Sequence, residues 1–208
     1  METFTRQREP TEWVIAYWYN ADEAKLPRVL LIGDSICNGY QQAVRKELEG
    51  TAYVSFYATS KCVTDRTYLK QLAFMLEEYE YQVIHFNNGL HSLDTDRGEW
   101  EKALRAALAL IKEKGKGAEI IWATSTPVKD ADRNRKFQEL TPIAGKVMKE
   151  TNTPINDLYS LMSSLDCETH WSDGCHFKET GNAIMAEKIA AMCRAALPGP
   201  THPTMSSL

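Results

Sequence analysis

The sequence predicts an α/β protein with three layers, in which a five-stranded parallel sheet lies between two layers of helices. Three observations support this fold class. Short apolar segments alternate along the chain with longer amphipathic ones, as strands and helices do around a parallel sheet. The 208 residues suffice for one α/β domain with a sizeable core and are few for two. Hydrophobic residues make up 43% of the chain and charged residues 25%, which is typical of globular proteins and excludes a disordered chain.

Five short apolar segments are predicted to be the strands. The first, Arg28 to Gly33, is almost continuously apolar and ends at a glycine, as a buried parallel strand does. The second is rich in β-branched and aromatic residues, and the fifth has the weakest pattern. The later predicted strands are residues 51–57, 82–87, 118–124 and 154–159.

The helices are predicted between these strands, from apolar residues spaced three and four positions apart. They cover residues 38–48, 65–79, 99–114, a region from Arg133 onward, and 179–196. Asp65 is expected to cap the second helix, and Gly115 suits the end of the third. Pro142 interrupts the fourth, so this helix is expected to kink or to restart there with Thr141 as its N-cap.

The chain is expected to divide into three parts. Residues 1–26 are predicted to form an N-terminal helical arm, residues 27–198 the domain itself, and residues 199–208 a disordered tail. The arm is expected to attach to the core through its aromatic side chains, with stacking on a sugar as the alternative. These side chains are Trp13, Tyr17, Trp18 and Tyr19.

Charge and cysteine content exclude several classes of partner. The formal net charge is −4 and the basic residues are dispersed, so neither nucleic acid nor an anionic membrane is an expected partner. No apolar stretch approaches the roughly 18 residues of a membrane span, and the N-terminus lacks the pattern of a signal peptide. Five cysteines without CxxC spacing are expected to be free thiols. A cytoplasmic location is the expectation, with secretion left open.

The first strand ends in Gly33-Asp34-Ser35, where the glycine permits a sharp turn from strand to helix. Ser35 is then expected near a helix N-terminus, where backbone N–H groups face incoming negative charge. This position suits a nucleophile whose attack creates an oxyanion. The alternative is that Ser35 serves only as the N-cap of the helix.

A second polar block, Asp173-Gly174-Cys175-His176, precedes the last predicted helix. A carboxylate three residues before an imidazole can accept a hydrogen bond from one ring nitrogen and leave the other as a base. The alternative is a polar loop before a capped helix. Both blocks fall at the sheet edge where parallel topologies bind ligands, so together they predict a nucleophile, a base and an orienting carboxylate.

The order and placement of these blocks resemble those of the SGNH or GDSL hydrolases, over about residues 28–197. The resemblance implies a serine esterase that removes a small acyl group, often acetyl, through an acyl-enzyme. The implied substrate is a small-molecule ester, with an acylated sugar as one example. It implies Ser35 as nucleophile, His176 as base and Asp173 as its partner, with no metal and no cofactor. The oligomeric state is left open.

The third block of the family is usually Gly-x-Asn-Asp, and its asparagine donates a hydrogen bond to the oxyanion. The corresponding stretch runs from Asn87 to His91 and resembles a subgroup with Asn-x-Gly-Leu-His. Gly89 matches the family glycine, and His91 then occupies the position of the asparagine. An imidazole N–H is able to fill that role, and Asn87 or Asn88 is the alternative donor.

The second block of the family supplies a backbone N–H to the oxyanion hole. The stretch 58–64 contains no glycine, so this N–H is expected at Ser60 or Lys61, acting with the N–H of Ser35. The alternative for Lys61 is a surface lysine whose side chain is solvated.

Rival interpretations remain open. A flavodoxin-like module that binds an anion at Ser35 without turnover is the main alternative function, and a hydrolase scaffold made inefficient by His91 is another. A zinc site is a further possibility, and His85 is expected to be an ordinary core residue. The residues of the zinc alternative are Cys167, His170, Cys175 and His176.

Overall fold

The computed structural model describes residues 8–199 of the chain. It contains one six-stranded sheet. Its strands are β1 (Val14–Trp18), β2 (Arg28–Gly33), β3 (Tyr53–Thr59), β4 (Val83–Phe86), β5 (Glu119–Ala123) and β6 (Ile155–Asn156). The strand order is β1-β3-β2-β4-β5-β6, and every pair is parallel except β1 with β3.

Helices cover both faces of the sheet. They are α1 (Ser35–Glu47), α2 (Tyr68–Glu78), α3 (Arg97–Lys114), α4 (Ala131–Gln138), α5 (Leu140–Glu150), α6 (Leu158–Ser163), α7 (Cys167–His170) and α8 (Glu179–Ala196). A single 3₁₀ turn, Leu90–Ser92, follows β4. No helix within residues 8–199 is both long enough and apolar enough to cross a membrane.

Strand β2 lies at the centre of the fold, and all six of its residues are buried. Its alternate side chains belong to two separate cores because successive residues of a strand point to opposite faces. Val29 and Leu31 pack on the face covered by α1 and α8. Leu30 and Ile32 pack on the face covered by α2, α3 and α5. The predicted α/β/α layering is therefore present.

The sheet differs from the prediction in having a sixth, antiparallel strand. Strand β1 pairs with β3 along its whole length, from Val14 opposite Thr59 to Trp18 opposite Ser55. The prediction of a helical arm over residues 1–26 is therefore wrong within the described residues. The β-branched and aromatic residues of this segment suit a sheet edge, where their side chains pack on neighbouring strands and helices. The Trp18 indole, for example, donates to the Tyr81 hydroxyl at 3.2 Å.

Several predicted boundaries move by a few residues. Strand β3 begins two residues later than expected, and β6 has only two residues instead of six. The break between α4 and α5 falls at Glu139 and not at Thr141. Asp65 does not cap α2, which begins at Tyr68 with Thr67 as its N-cap. The Asp65 carboxylate accepts a hydrogen bond from the Cys62 N–H at 3.1 Å instead. Of the tail predicted to be disordered, all but Gly199 lies outside the described residues.

Other predicted boundaries are confirmed. Helix α8 spans the residues 179–196 that its pattern predicts. Gly115 ends α3, where its N–H donates to the carbonyl of Ile111 at 2.7 Å. A Cβ on this glycine would lie 2.5 Å from the same carbonyl oxygen, so no larger residue fits without rearrangement.

The order in which strands are added to the sheet changes direction at β2. From β2 the chain crosses to β3 on one side, and the next strand, β4, pairs with β2 on its other side. Such a switch point leaves a crevice at the carboxyl ends of the two strands, where ligands bind in open α/β sheets. Ser35 follows β2 closely and Asn87 follows β4 directly, so both residues lie at this crevice.

Candidate active site

Ser35 is the first residue of α1 and follows β2 after a single intervening residue. That residue, Asp34, is the N-cap, and its carboxylate accepts from the Ile36 N–H at 2.9 Å. The alternative role of Ser35 as an N-cap is therefore wrong. The turn also requires Gly33, because a Cβ there would lie 2.6 Å from the Cβ of Cys37. The half-buried Ser35 hydroxyl is left available for other contacts.

The second polar block brings an imidazole to this hydroxyl. The Nε2 atom of His176 lies 2.8 Å from Oγ of Ser35, and its Nδ1 atom lies 2.8 Å from Oδ2 of Asp173. When Nδ1–H donates to the carboxylate, Nε2 is the nitrogen that accepts the hydroxyl proton. The three predicted side chains are thus joined in one continuous chain of hydrogen bonds.

The loop that carries His176 is closed by its own backbone. Trp171 pairs with Phe177 as an antiparallel bridge, and the Ser172 N–H donates to the carbonyl of His176 at 3.0 Å. The rings of Trp171 and Phe177 pack with centroids 4.6 Å apart. The bridge therefore holds the polar residues between Trp171 and Phe177 in a short turn at the edge of the sheet.

Asp173 stabilises the same turn through hydrogen bonds from the backbone N–H groups of the turn. Its Oδ1 accepts from the N–H groups of Cys175 and His176, both at 2.7 Å. These two bonds, together with the His176 side chain, hold the pKa of the Asp173 carboxyl well below its usual range. The carboxylate is therefore ionised at neutral pH and able to stabilise a positive charge on the imidazole.

Cys175 lies beside the imidazole, a contact that the sequence analysis did not predict. Its Sγ atom is 3.4 Å from Nδ1 of His176. Burial and, to a smaller extent, the neighbouring Asp173 carboxylate together raise the pKa of this thiol to about 11, so it is protonated at neutral pH. The adjacency of Cys175 and His176 in the sequence was visible, but the direction of the two side chains depends on the turn.

Asn87 stands at the end of β4, on the other side of the crevice. Its backbone N–H donates to the carbonyl of Ile32 at 2.9 Å, which continues the pairing of β4 with β2. Its side-chain amide donates to the carbonyl of Ala123 at 2.8 Å, with the Ser125 hydroxyl 3.4 Å away. Asn87 and Asp34 line one small cavity of about 10 Å³, so the amide lies close to the Ser35 turn.

Asn88 connects two loops of the site. Its Oδ1 accepts from the Val63 N–H at 3.0 Å, and its Nδ2 donates to the carbonyl of Lys61 at 2.9 Å. The buried amide is thus directed at the loop after β3 and away from the serine. As an oxyanion donor Asn88 is not favoured; the geometry indicates that it positions the loop.

His91 lies in the 3₁₀ turn and faces the N-terminal segment. Its Nδ1 atom is 3.2 Å from Oε1 of Glu9, and its ring packs edge-on against Trp13 with centroids 6.3 Å apart. The structure records no contact between His91 and Ser35 within residues 8–199. These contacts do not favour the expectation that His91 takes the place of the family asparagine, which stays a prediction.

Gly89 permits the close approach of the loops after β4 and β5. A Cβ on Gly89 would lie 1.8 Å from Oγ of Ser125, so any side chain would push the two loops apart. The predicted match to the family glycine thus has a steric basis here.

The first two N–H groups of the loop after β3 already have acceptors within the protein. The Ser60 N–H donates to the carbonyl of Trp13 at 3.2 Å, as part of the β1 pairing. The Lys61 N–H donates to the Thr59 hydroxyl at 3.2 Å. Ser60 is therefore committed to strand β1, a strand that the sequence analysis did not predict, and the expectation that its N–H faces an oxyanion is corrected.

One group of potential metal ligands exists within residues 8–199, and it overlaps the triad. Its members, Asp173, Cys175 and His176, have ligand atoms within 4.8 Å of one another. Cys167 and His170, which the zinc alternative included, do not belong to it, and Nδ1 of His170 lies 3.2 Å from the Thr180 hydroxyl. All five cysteines are free thiols.

His85 is the buried core residue that its mid-strand position predicts. Its Nε2 lies 3.2 Å from Nδ2 of Asn156 across the sheet. Burial lowers the pKa of this imidazole to about 4, because the charged form is poorly solvated there.

A cavity of about 440 Å³ lies beside the crevice. Gly89 and Ser125 form its edge toward Asn87, and aromatic residues contributed by β5, α3, α4 and the β6–α6 region form much of its wall. These aromatic residues are Trp100, Trp122, Phe137 and Tyr159.

No protein-family model matches the sequence, and no curated protein matches it. Solved structures do resemble the fold. An acetyl xylan esterase superposes with a TM-score of 0.70 at 16% identity, covering 79% of this chain and 98% of that one. A lipase/acylhydrolase from Enterococcus faecalis gives 0.67 at 20% identity, with coverages of 83% and 98%. An acylhydrolase described as putative, from Bacteroides fragilis, gives 0.69 at 16% identity, with coverages of 88% and 96%. At these identities the similarity establishes the fold.

Proposed function

We propose that this chain is a carboxylic ester hydrolase of the SGNH type, with Ser35 as its nucleophile. The observation that supports this most strongly is the unbroken hydrogen-bond chain from Asp173 through His176 to Ser35, with both separations at 2.8 Å. Its position at the switch point of the sheet adds weight, because ligands bind there in this topology. The similarity of the fold to solved acylhydrolases agrees with the proposal.

The reaction begins when His176 accepts the proton of the Ser35 hydroxyl and Oγ attacks the ester carbonyl. Asp173 holds the ring in the tautomer that leaves Nε2 free, and it stabilises the imidazolium that forms. The imidazolium then protonates the departing alcohol, which leaves the acyl group on Oγ. A water molecule, deprotonated by His176, releases the acid in the second half of the cycle. Each proton transfer in this scheme uses a side chain of the protein itself.

The oxyanion is stabilised by donors from both strand ends of the crevice. The Ser35 N–H is at the first position of α1, so it has no acceptor within the helix and adds to the helix dipole. Asn87 supplies the second donor. Its bond to Ala123 fixes the amide plane, and its contact with the Ser125 hydroxyl is long at 3.4 Å, so an oxyanion is able to compete for this donor. Asn88 and Gly89 position this loop without contacting the substrate.

The proposed substrate is a small acyl ester, such as an acetyl ester, of a carbohydrate. Among the structures with the same fold, one is called an acetyl xylan esterase. Another, from Geobacillus stearothermophilus, is called an acetylxylan esterase or an acetyl-xylooligosaccharide esterase. The 440 Å³ cavity beside the crevice has room for a sugar-sized group, and the partly exposed ring of Tyr159 in its wall is able to stack on the apolar face of a sugar.

Hydrolysis of p-nitrophenyl acetate by the wild type and by Ser35→Ala tests the proposal. The variant is expected to lose at least about 10³-fold in kcat, as loss of a triad member does, with an unchanged Tm. Ser172→Ala, an exposed serine of the neighbouring loop, is the matched control and should retain activity. Activity of Ser35→Ala within about tenfold of the wild type would overturn the assignment. Absence of turnover in the wild type, on this ester and on acetylated sugars, would favour the anion-binding module instead.

A further inference from the structure

We propose that Asp173, Cys175 and His176 also form a binding site for a soft divalent metal ion such as Zn²⁺, and that the bound ion inhibits the enzyme. The binding half of this proposal stands on the geometry alone. The inhibition half rests on the proposed function, because the ion takes the imidazole that serves as the base.

The three donors are of the types that zinc prefers and are close enough to share one ion. Sγ of Cys175 lies 3.4 Å from Nδ1 and 4.0 Å from Nε2 of His176. With Zn–S near 2.3 Å and Zn–N near 2.0 Å, a tetrahedral ion places sulfur and nitrogen about 3.5 Å apart. The separation of Sγ from Nδ1 is close to this value. The two distances together place the sulfur over the face of the ring, so the Cys175 side chain has to rotate before both donors share an ion. A carboxylate oxygen of Asp173 is the third ligand, and water completes the set.

Cys175 differs from the other four thiols because it alone lies in the group of potential ligands. Cys37, Cys62 and Cys193 are buried, and Cys167 is exposed but lies outside the group of ligands. Cys175 is partly exposed and has no task in ester hydrolysis, since the nucleophile, base and carboxylate are all supplied by other residues. Its position next to the base is unexplained by the catalytic scheme.

Binding of the ion is incompatible with catalysis. The ion is coordinated through Nδ1, the nitrogen that faces Asp173, and it replaces the hydrogen bond to the carboxylate. The ring proton then lies on Nε2, which is no longer able to accept the serine proton. The thiol loses its proton to solvent as the Zn–S bond forms, so the step needs no oxidant or reductant.

The experiment is a titration of the purified protein with Co²⁺, which reports a thiolate ligand by its charge-transfer absorption, alongside Zn²⁺ inhibition of p-nitrophenyl acetate hydrolysis. Wild type and the matched control Cys167→Ser are expected to show the absorption and to be inhibited, with recovery after addition of a chelator. Cys175→Ser is expected to lack the absorption. Its half-inhibiting Zn²⁺ concentration, measured against its own metal-free rate, should rise by at least about tenfold.

The two proposals fail separately in this experiment. A cobalt–thiolate absorption in a protein without esterase activity would contradict the proposed function and leave the metal site standing. The metal proposal is overturned if the wild type hydrolyses esters but shows no cobalt–thiolate absorption. It is equally overturned if Cys175→Ser matches the wild type in absorption or in Zn²⁺ sensitivity.

Discussion

The Nε2 atom of His176 lies 2.8 Å from the Oγ atom of Ser35, although 141 positions separate the two residues in the chain. The contact depends on the packing of helix α1, which carries Ser35, against helix α8, which follows His176. Helix α1 begins at Ser35, and α8 begins three residues after His176. The spacing between nucleophile and base is therefore set by helix packing on one face of the sheet.

Gly181→Ala tests this dependence. A Cβ at Gly181, in the first turn of α8, would lie 2.8 Å from the carbonyl oxygen of His170 and 3.0 Å from Cβ of Phe177. The loop that carries His176 has to move to relieve these contacts. We expect kcat/KM for p-nitrophenyl acetate to fall by at least about tenfold, since small misplacements of a catalytic group are costly.

The control for this prediction is Gly145→Ala in α5. A Cβ there meets nothing within 4 Å, so the higher helix propensity of alanine should stabilise the fold by about 0.5–1 kcal/mol. Gly145 lines the 440 Å³ cavity, but p-nitrophenyl acetate carries no sugar to occupy it, so kcat/KM for this ester should be unchanged. Equal activity of the two variants would contradict the role assigned to the α8 contact.

Two alanine variants test whether Asn87 or His91 is the oxyanion donor. Asn87→Ala is expected to lower kcat by about 10²–10³-fold with little change in KM, because the donor acts mainly in the transition state. His91→Ala removes only the contacts with Glu9 and Trp13, so kcat should stay within a few-fold of the wild type. Steady-state kinetics on both variants decide the matter, and the reverse pattern would restore His91 to the site.

Asn88→Ala tests the connection between the loops after β3 and β4. The substitution leaves the buried Val63 N–H and the Lys61 carbonyl without their partner, at a cost of about 1–3 kcal/mol in the free energy of unfolding. Chemical denaturation measures this loss. A free energy of unfolding within about 0.5 kcal/mol of the wild type would show that the two loops are held together by other contacts.

His85 makes stability depend on pH. Its pKa is about 4 in the folded protein, against an ordinary value of 6.5, so between these two values the unfolded chain binds more protons than the folded one. Stability is therefore lost as the pH falls from 6.5 toward 4. The shift corresponds to at most about 3 kcal/mol. Asp173 adds to the loss near the lower end of this interval, because its pKa is lowered only in the folded protein and the unfolded chain begins to take up that proton below about pH 5.

The variant that isolates this effect is His85→Gln, whose amide does not titrate. Unfolding free energies of both proteins at pH 7 and pH 4.5 should show a smaller acid loss in the variant, and the other histidines cancel in the comparison. Parallel pH profiles for the two proteins would contradict the assignment.

Local patterns in the sequence predicted the central parts of the fold. The continuous apolar run of β2 and the amphipathic period of α8 are properties of single segments, and each was placed correctly by its own residues. Ser35, Asp173 and His176 were predicted because each lies beside a strand end or helix start that was itself predictable.

Long-range pairings were not predictable in the same way. The segment of β1 is too short to show a period, and its conformation is decided by pairing with β3, about 40 residues away. The choice among Asn87, Asn88 and His91 depended on which side chain faces the crevice. That direction is set by partners such as Val63, Ala123 and Glu9, none of which is close in the chain.

Covalent labelling with a fluorophosphonate, followed by intact mass and peptide mapping, tests the role of Ser35 most directly. The account predicts a single adduct on Ser35, lost in Ser35→Ala and formed far more slowly in His176→Ala, because the probe reacts with a serine activated by its base. An adduct on another residue would contradict the account. So would the absence of any adduct in a preparation that hydrolyses esters.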